Sequence, residues 1–145
     1  MNRPTDVVAV RPSQNSSFVV VADDDPTMRR LFLRALNEAG YPVLLAVDVQ
    51  EAMELLRRPG VEAAILDMLF INSGGRSGLD LLHFIRGEPL LANLPVIVVT
   101  GFPINRTIMA QVEALNAEVW HKPFELAPFT RRLDELLQRT VPPVQ

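Results

Sequence analysis

The other predicted elements are arranged around the stretch Val61-Glu62-Ala63-Ala64-Ile65-Leu66-Asp67. It is a short, largely apolar run that ends on a carboxylate, and a glycine-containing loop follows it. Such a run is typical of a strand that is buried in a parallel sheet. Because ligands of open α/β sheets bind beyond the carboxyl ends of the strands, we expect Asp67 to lie where a small ligand can reach it.

Polar side chains follow three other strand-like runs: Asp23, Asp24 and Asp25 follow Phe18–Ala22, Thr100 follows Leu94–Val99, and Lys122 follows Val119–His121. Lys122 is the only lysine in the chain. Since the carboxyl ends of parallel strands meet at one edge of a sheet, these acids, the hydroxyl and the ammonium group are expected to converge there. We therefore expect them to hold a divalent cation and a phosphoryl group on Asp67.

Apolar residues recur with helical spacing between the strand-like runs. The first such segment begins at Asp25-Pro26, a capping carboxylate followed by proline, and ends at Gly40. Asp48-x-x-Glu51 and Ser77-x-x-Asp80 are typical of two further helix starts. Five strands alternate with five helices along the chain, which predicts an α/β fold with a doubly wound five-stranded parallel sheet and helices on both faces.

The composition limits the class of protein. The 145 residues suffice for one domain, which we expect at 18–139, between a flexible N-terminal extension at 1–17 and a short C-terminal tail at 140–145. The net charge of −3 argues against a nucleic-acid-binding surface. No cysteine is present, which excludes disulfides and thiolate metal sites. The N-terminus lacks a signal-peptide pattern, and no apolar run approaches the roughly 18 residues of a membrane span, so we expect a cytoplasmic protein without membrane contact.

Four short motifs occur in a fixed order on the predicted strand ends: the segment Val20–Arg30 with its acids, Ile65-Leu66-Asp67, Val98-Val99-Thr100-Gly101, and His121-Lys122-Pro123-Phe124. In these motifs the sequence resembles a response-regulator receiver domain of the CheY-like family, which has a flavodoxin-like fold. The resemblance covers about Ser17 to Arg139.

The resemblance implies a phosphoacceptor and a magnesium site. Asp67 would be the phosphoacceptor. Asp23 and Asp24 would be the acidic pair that places Mg²⁺, with Asp24 the more direct ligand and Asp23 acting largely through water. The backbone carbonyl of Leu69 would be a further ligand.

The resemblance also implies a switch. The Thr100 hydroxyl would bind a phosphoryl oxygen, and Lys122 would pair with the phosphoryl charge. The movement of Thr100 would shift the following loop and helix, so that the 105–139 face would bind a downstream protein. Such a protein would be a single-domain response regulator of a two-component phosphorelay, phosphorylated by a histidine kinase or a histidine phosphotransfer protein.

The sequence leaves open two alternative functions and the formation of a homodimer. The chain could be a receiver-shaped interaction module that takes no phosphoryl group, or a small phosphatase with an aspartate nucleophile. The phosphatase needs a second aspartate two residues after the nucleophile, and Leu69 occupies that position. A receiver would catalyse only its own phosphoryl transfer and autodephosphorylation, so we do not expect an enzyme that acts on external substrates. A homodimer stays open as well.

The sequence departs from the family pattern at two places. Position 71 is isoleucine where the family usually has proline, and Gly78 lies eleven positions after Asp67, so that the intervening loop is longer than usual. The position of the family's switch aromatic is Val119, and Trp120 follows it. Period-two alternation predicts that Trp120 faces the opposite side of the sheet, unless a bulge turns it round.

Overall fold

A computed structural model describes residues 17–138. It contains one sheet of five parallel strands: β1 (Phe18–Ala22), β2 (Val43–Ala46), β3 (Val61–Asp67), β4 (Val96–Thr100) and β5 (Glu118–His121). The strands lie in the order β2-β1-β3-β4-β5. The predicted N-terminal extension, apart from residue 17, and the predicted C-terminal tail lie outside the described residues.

Five α-helices connect or follow the strands: α1 (Pro26–Glu38), α2 (Val49–Leu56), α3 (Gly78–Gly87), α4 (Arg106–Ala114) and α5 (Leu126–Leu136). The predicted fold class, a five-stranded parallel sheet with five helices, is therefore confirmed. A short 3-10 helix at Pro89–Leu91, which the sequence analysis did not predict, follows α3.

The helices cover both faces of the sheet and divide the core into two layers. In β1, Val19 and Val21 pack with residues of α1 and α5, whereas Val20 and Ala22 pack with residues of α2, α3 and α4. Strands with both faces buried need apolar side chains at every position, which explains why β1 reads as a continuous apolar run rather than an alternating one.

Side-chain caps fix where two of the helices near the sheet edge begin. Asp25 accepts a hydrogen bond from the Thr27 N–H at 2.9 Å and caps α1. Ser77 and Asp80 form a reciprocal capping box at the start of α3. Each cap ends a loop that starts at the carboxyl end of a strand, so the caps also fix the course of the loops that surround Asp67.

The strand order reverses between β1 and β3, and this reversal positions the candidate site. The chain leaves β1 toward β2 on one side and leaves β3 toward β4 on the other, which opens a crevice at the carboxyl ends of β1 and β3. Asp23 and Asp24 follow β1 directly, and Asp67 ends β3. Among residues 17–138, no helix has both the length and the apolar character needed to cross a membrane.

Candidate functional site

Three carboxylates from the ends of β1 and β3 converge in the crevice. One oxygen from each of Asp23, Asp24 and Asp67 lies within 4.8 Å of the other two. Asp23 is 2% exposed and Asp67 8% exposed, while Asp24 is half-buried. Such a set of hard oxygen donors suits Mg²⁺, Ca²⁺ or Mn²⁺ rather than a soft metal. The predicted convergence of these three acids is thus present in the structure.

The surroundings of Asp67 disfavour its charged form. Burial, together with the negative charges of Asp23 and Asp24, raises the pKa of Asp67 to about 7, although the Lys122 charge and a backbone hydrogen bond from Leu69 act in the opposite direction. A cation bound among the three acids would supply the compensating charge that the protein alone provides only in part.

Lys122 brings positive charge to the same place from the end of β5. Its Nζ lies 3.2 Å from Asp23 Oδ2 and 3.6 Å from Asp67 Oδ1. Its backbone N–H donates to the Thr100 carbonyl at 2.7 Å, which ties the end of β5 to that of β4. The peptide bond between Lys122 and Pro123 is cis. Lys122 therefore stands between two of the acids, at the position where the sequence predicted a counter-charge.

The Thr100 hydroxyl is engaged by the loop that follows β4. Thr100 is 2% exposed, and its Oγ1 donates to the Phe102 carbonyl at 2.9 Å and accepts from the Phe102 N–H at 3.1 Å. In this arrangement the hydroxyl stabilises the loop that follows β4. Its predicted contact with a phosphoryl group stays a prediction.

The loop between β3 and α3 contributes a contact that the sequence analysis missed. The Ile71 N–H donates to Asp24 Oδ2 at 3.0 Å, and Ser73 Oγ accepts from the Val49 N–H at 3.1 Å, at the start of α2. The unusual length of this loop was the only sign in the sequence that it differs from the family pattern. The length did not indicate which backbone amide would contact the acids. The predicted role of the Leu69 carbonyl stays a prediction.

Gly78 is a second residue beside Asp67 whose contact the sequence did not reveal. A Cβ atom there would lie 2.2 Å from the Asp67 carbonyl oxygen and 2.9 Å from the Met68 Cα. The Gly78 N–H donates to the Met68 carbonyl at 2.9 Å. The first turn of α3 therefore packs directly on the backbone of the candidate acceptor, and only glycine permits this approach.

Val119 and Trp120 lie on opposite faces of the sheet. The Trp120 ring packs against Phe124 and Phe129 at centroid distances of 5.5 and 5.2 Å, on the side of α1 and α5. Val119 packs on the side of α2, α3 and α4. Trp120 pairs with Val99 in the β4–β5 register. The roles predicted for these two residues in a switch or a partner surface stay predictions.

Known proteins share this sequence pattern. A family model described as "Response regulator receiver domain" matches residues 19–134. The chain is 31% identical over 122 residues to the "Probable transcriptional regulatory protein TcrX" of Mycobacterium tuberculosis, with 84% of this chain and 50% of that protein covered. It is 31% identical over 124 residues to the "Response regulator MprA" of Mycolicibacterium vanbaalenii, with 86% and 52% covered. The chain spans about half the length of these curated relatives.

Solved structures share the fold. A receiver domain protein (CheY-like) from Methanospirillum hungatei superposes with a TM-score of 0.76 at 19% identity, with 86% of this chain and 95% of that chain covered. A putative response regulator from Chloroflexus aurantiacus superposes with a TM-score of 0.74 at 26% identity, with 86% and 100% covered. Because the family model extends over most of the sequence, this chain belongs to the response regulator receiver domain family.

Proposed function

We propose that this receiver domain accepts a phosphoryl group on Asp67 from the phosphohistidine of a histidine kinase or a histidine phosphotransfer protein. The observation that carries the proposal is the convergence of Asp23, Asp24 and Asp67 within 4.8 Å, with the Lys122 ammonium group 3.6 Å from Asp67. These groups come from the ends of three strands that are separated in sequence. An arrangement with no function would have little reason to bury like charges so close together.

The donor set fits Mg²⁺. Asp24 and Asp67 would hold the ion directly, Asp23 would act largely through water, and the Leu69 carbonyl would be a further ligand. Mg²⁺ commonly keeps several waters and needs no complete protein cage. When bound, the ion neutralises negative charge on the oxygens of the transferred phosphoryl group.

The transfer itself requires an ionised Asp67. One of its carboxylate oxygens attacks the phosphorus, an O–P bond forms, and the P–N bond to the donor histidine breaks with its electron pair going to the imidazole nitrogen. Lys122, already 3.6 Å from Asp67 Oδ1, pairs with the charge of the phosphoryl group. A lysine suits this task because its charge is mobile on a flexible stem.

Thr100 would convert the local charge change into a movement. A phosphoryl oxygen competes for the Thr100 hydroxyl, which then gives up its two hydrogen bonds to Phe102. The loop after β4 is released, and α4 behind it shifts between two positions whose populations depend on phosphorylation. We infer that the 105–139 face, which includes α4, β5 and α5, changes its affinity for a downstream protein.

The chemistry that we propose takes place on the protein itself and on no external substrate. Leu69 stands where a small phosphatase with an aspartate nucleophile would need its second aspartate. The domain would transfer the phosphoryl group to itself and hydrolyse it slowly, in the cytoplasm where its donors are phosphorylated. We propose 18–139 as the limits of the unit that does so.

Intact mass spectrometry after incubation with acetyl phosphate and Mg²⁺ tests the proposal. We expect the mass of one phosphoryl group to be added to the wild-type chain, and no gain in the Asp67→Asn variant or in excess chelator. An unchanged wild-type mass, with beryllofluoride and Mg²⁺ also leaving Trp120 fluorescence unaltered, would reject phosphorylation and favour an interaction module. Rapid phosphate release from added phosphate esters would instead support a phosphatase.

A further inference from the structure

The loop between β3 and α3, residues 68–77, is held in place at several points. Ser73 is 6% exposed, and its Oγ accepts a hydrogen bond from the Val49 N–H at the start of α2. The Arg76 side chain donates through Nε to the Ser73 carbonyl at 3.3 Å, and its backbone N–H donates there at 3.1 Å. These contacts fix the middle of the loop against α2, so that the residues before Ser73 have a defined course past the acids.

The Ile71 N–H is the point where this loop meets the acids. It donates to Asp24 Oδ2 at 3.0 Å, across 47 positions of sequence. The donor is the backbone N–H, and Ile71 as a residue is 79% exposed. A backbone donor held by a pinned loop cannot rotate away, in contrast to a donor on a flexible side chain.

Asp24 is the acid that most needs such a donor. Asp23 accepts from the Asp25 N–H at 2.9 Å and from Lys122, and Asp67 has Lys122 and a backbone hydrogen bond from Leu69. Asp24 is half-buried, and its carboxylate is repelled by the negative charge of Asp23 and, when Asp67 is ionised, by that of Asp67. The Ile71 N–H opposes this repulsion and keeps the carboxylate beside the other two.

We propose that Ile71 is a positioning residue: its backbone N–H holds the Asp24 carboxylate in the cation-binding arrangement, and Ser73 holds the loop that carries this N–H. The inference rests on the proposed function, since it assumes that the three acids bind a divalent cation. Groups that orient a metal ligand in this way commonly change metal affinity when they are lost, although they do not touch the metal.

Two substitutions at one position separate the N–H from the side chain. Ile71→Pro removes the N–H, whereas Ile71→Ala retains it and removes most of the exposed side chain. The loss of the free-ion signal in electron paramagnetic resonance measures Mn²⁺ binding, and competition with Mn²⁺ measures Mg²⁺ binding. We expect roughly tenfold weaker binding of both ions in Ile71→Pro and unchanged binding in Ile71→Ala.

A proline also restricts the backbone, so a second change removes the N–H without a ring. Replacing residue 71 by the α-hydroxy acid analogue of isoleucine converts its amide to an ester. We expect the ester to weaken Mn²⁺ binding as Ile71→Pro does, and Ser73→Ala to weaken it to a smaller extent. The Asp24→Asn variant, which retains the Ile71 N–H, should also differ from the wild type in the amide proton resonance of Ile71.

The outcomes distinguish this inference from the proposed function. If the wild type binds Mn²⁺ and gains a phosphoryl group, but the ester and Ile71→Pro bind Mn²⁺ as tightly as the wild type, the positioning role is overturned and the proposed function stands. If Ile71→Ala weakens binding as much as the ester, the side chain rather than the N–H is responsible, which also overturns it. If the wild type binds neither Mn²⁺ nor Mg²⁺, both proposals fall.

Discussion

Asp67 is a buried carboxyl group whose protonation is linked to folding. Its ordinary pKa of 3.8 is raised to about 7, chiefly by burial and by the charge of Asp23. Between these values the folded chain binds more protons at Asp67 than the unfolded chain does. The stability that this group contributes is therefore fully present below about pH 4 and is lost as the pH rises to about 7.

This linkage predicts the pH dependence of an Asp67→Asn variant. In chelator, the variant should gain stability over the wild type as the pH rises from 5 to 8, by on the order of 2 kcal/mol, because asparagine cannot ionise. Urea unfolding of both proteins at several pH values measures the difference. A difference that does not change with pH would mean that Asp67 titrates in the folded chain as it does in the unfolded one.

At the scale of single residues, the sequence was informative where a residue's position follows from the end of a strand. Asp23, Asp67 and Lys122 were predicted to converge because parallel strands end at a common edge, and they do. The Ile71 N–H could not be predicted, because it depends on the course of a loop whose conformation no periodicity describes. A backbone amide also leaves no mark in the sequence, since every residue except proline has one.

At the scale of elements, the close contact between α3 and the end of β3 yields a matched pair of variants. Gly78→Ala places a methyl group 2.2 Å from the Asp67 carbonyl oxygen, so the helix or the strand end must shift. Gly87→Ala, at the other end of the same helix, meets nothing within 4 Å. We expect Gly78→Ala to lose about 1–3 kcal/mol of stability and Gly87→Ala to gain a few tenths to about 1 kcal/mol.

Thermal or urea unfolding measures both stabilities, and the rate of mass gain with acetyl phosphate shows the effect on Asp67. Gly78→Ala should slow this gain because the acceptor backbone is displaced, and Gly87→Ala should not alter it. Equal stability and equal rates in the two variants would mean that the contact between α3 and Asp67 relaxes without cost.

The loop after β4 provides a second prediction at this scale. Thr100→Val removes the hydroxyl but keeps the branched shape, so it breaks both hydrogen bonds to Phe102. Without beryllofluoride, we expect amide hydrogen exchange at Phe102 to be faster in Thr100→Val than in the wild type. Addition of beryllofluoride and Mg²⁺ should then cause no further change in the hydrogen exchange of residues 101–105 in this variant. Thr100→Ser keeps a hydroxyl and should retain the response. A full response in Thr100→Val would show that the loop moves without this residue.

Helix and strand positions were easier to predict than the relation between neighbouring elements. The apolar spacing and the caps gave α1 and the exact range of β1, because each depends on local sequence alone. Period-two alternation predicted that Trp120 faces the side of the sheet opposite Val119, and the structure has the two residues in different layers. Gly78 and Asp67 belong to two elements that a long loop separates. Apolar spacing and capping patterns do not predict how two such elements pack on each other.

At the scale of the whole molecule, Arg86 ties together the end of the sheet opposite Asp67. Its guanidinium group donates to backbone carbonyls of two segments: Leu91, Ala92 and Leu94 before β4, and Leu115 and Asn116 after α4. Burial lowers the pKa of Arg86. In the sequence, Arg86 was one of 14 basic residues without any distinguishing mark, because its partners are main-chain atoms. The parallel sheet with helices on both faces could be predicted from alternation, whereas this connection could not.

Replacing Arg86 tests whether this connection supports the whole fold. Arg86→Met keeps much of the apolar stem but leaves several carbonyls without their donor, so we expect a loss of roughly 2 kcal/mol or more in urea unfolding. Arg58→Met, which removes an exposed guanidinium group two residues after the end of α2, should change stability by about 0.5 kcal/mol or less. Because Arg86 holds the C-terminal end of α4, hydrogen exchange at Leu115 and Asn116 should increase in Arg86→Met, while Thr100 and Phe102 keep their protection. An increase at Thr100 and Phe102 as well would instead mean that the connection made by Arg86 also supports the loop after β4.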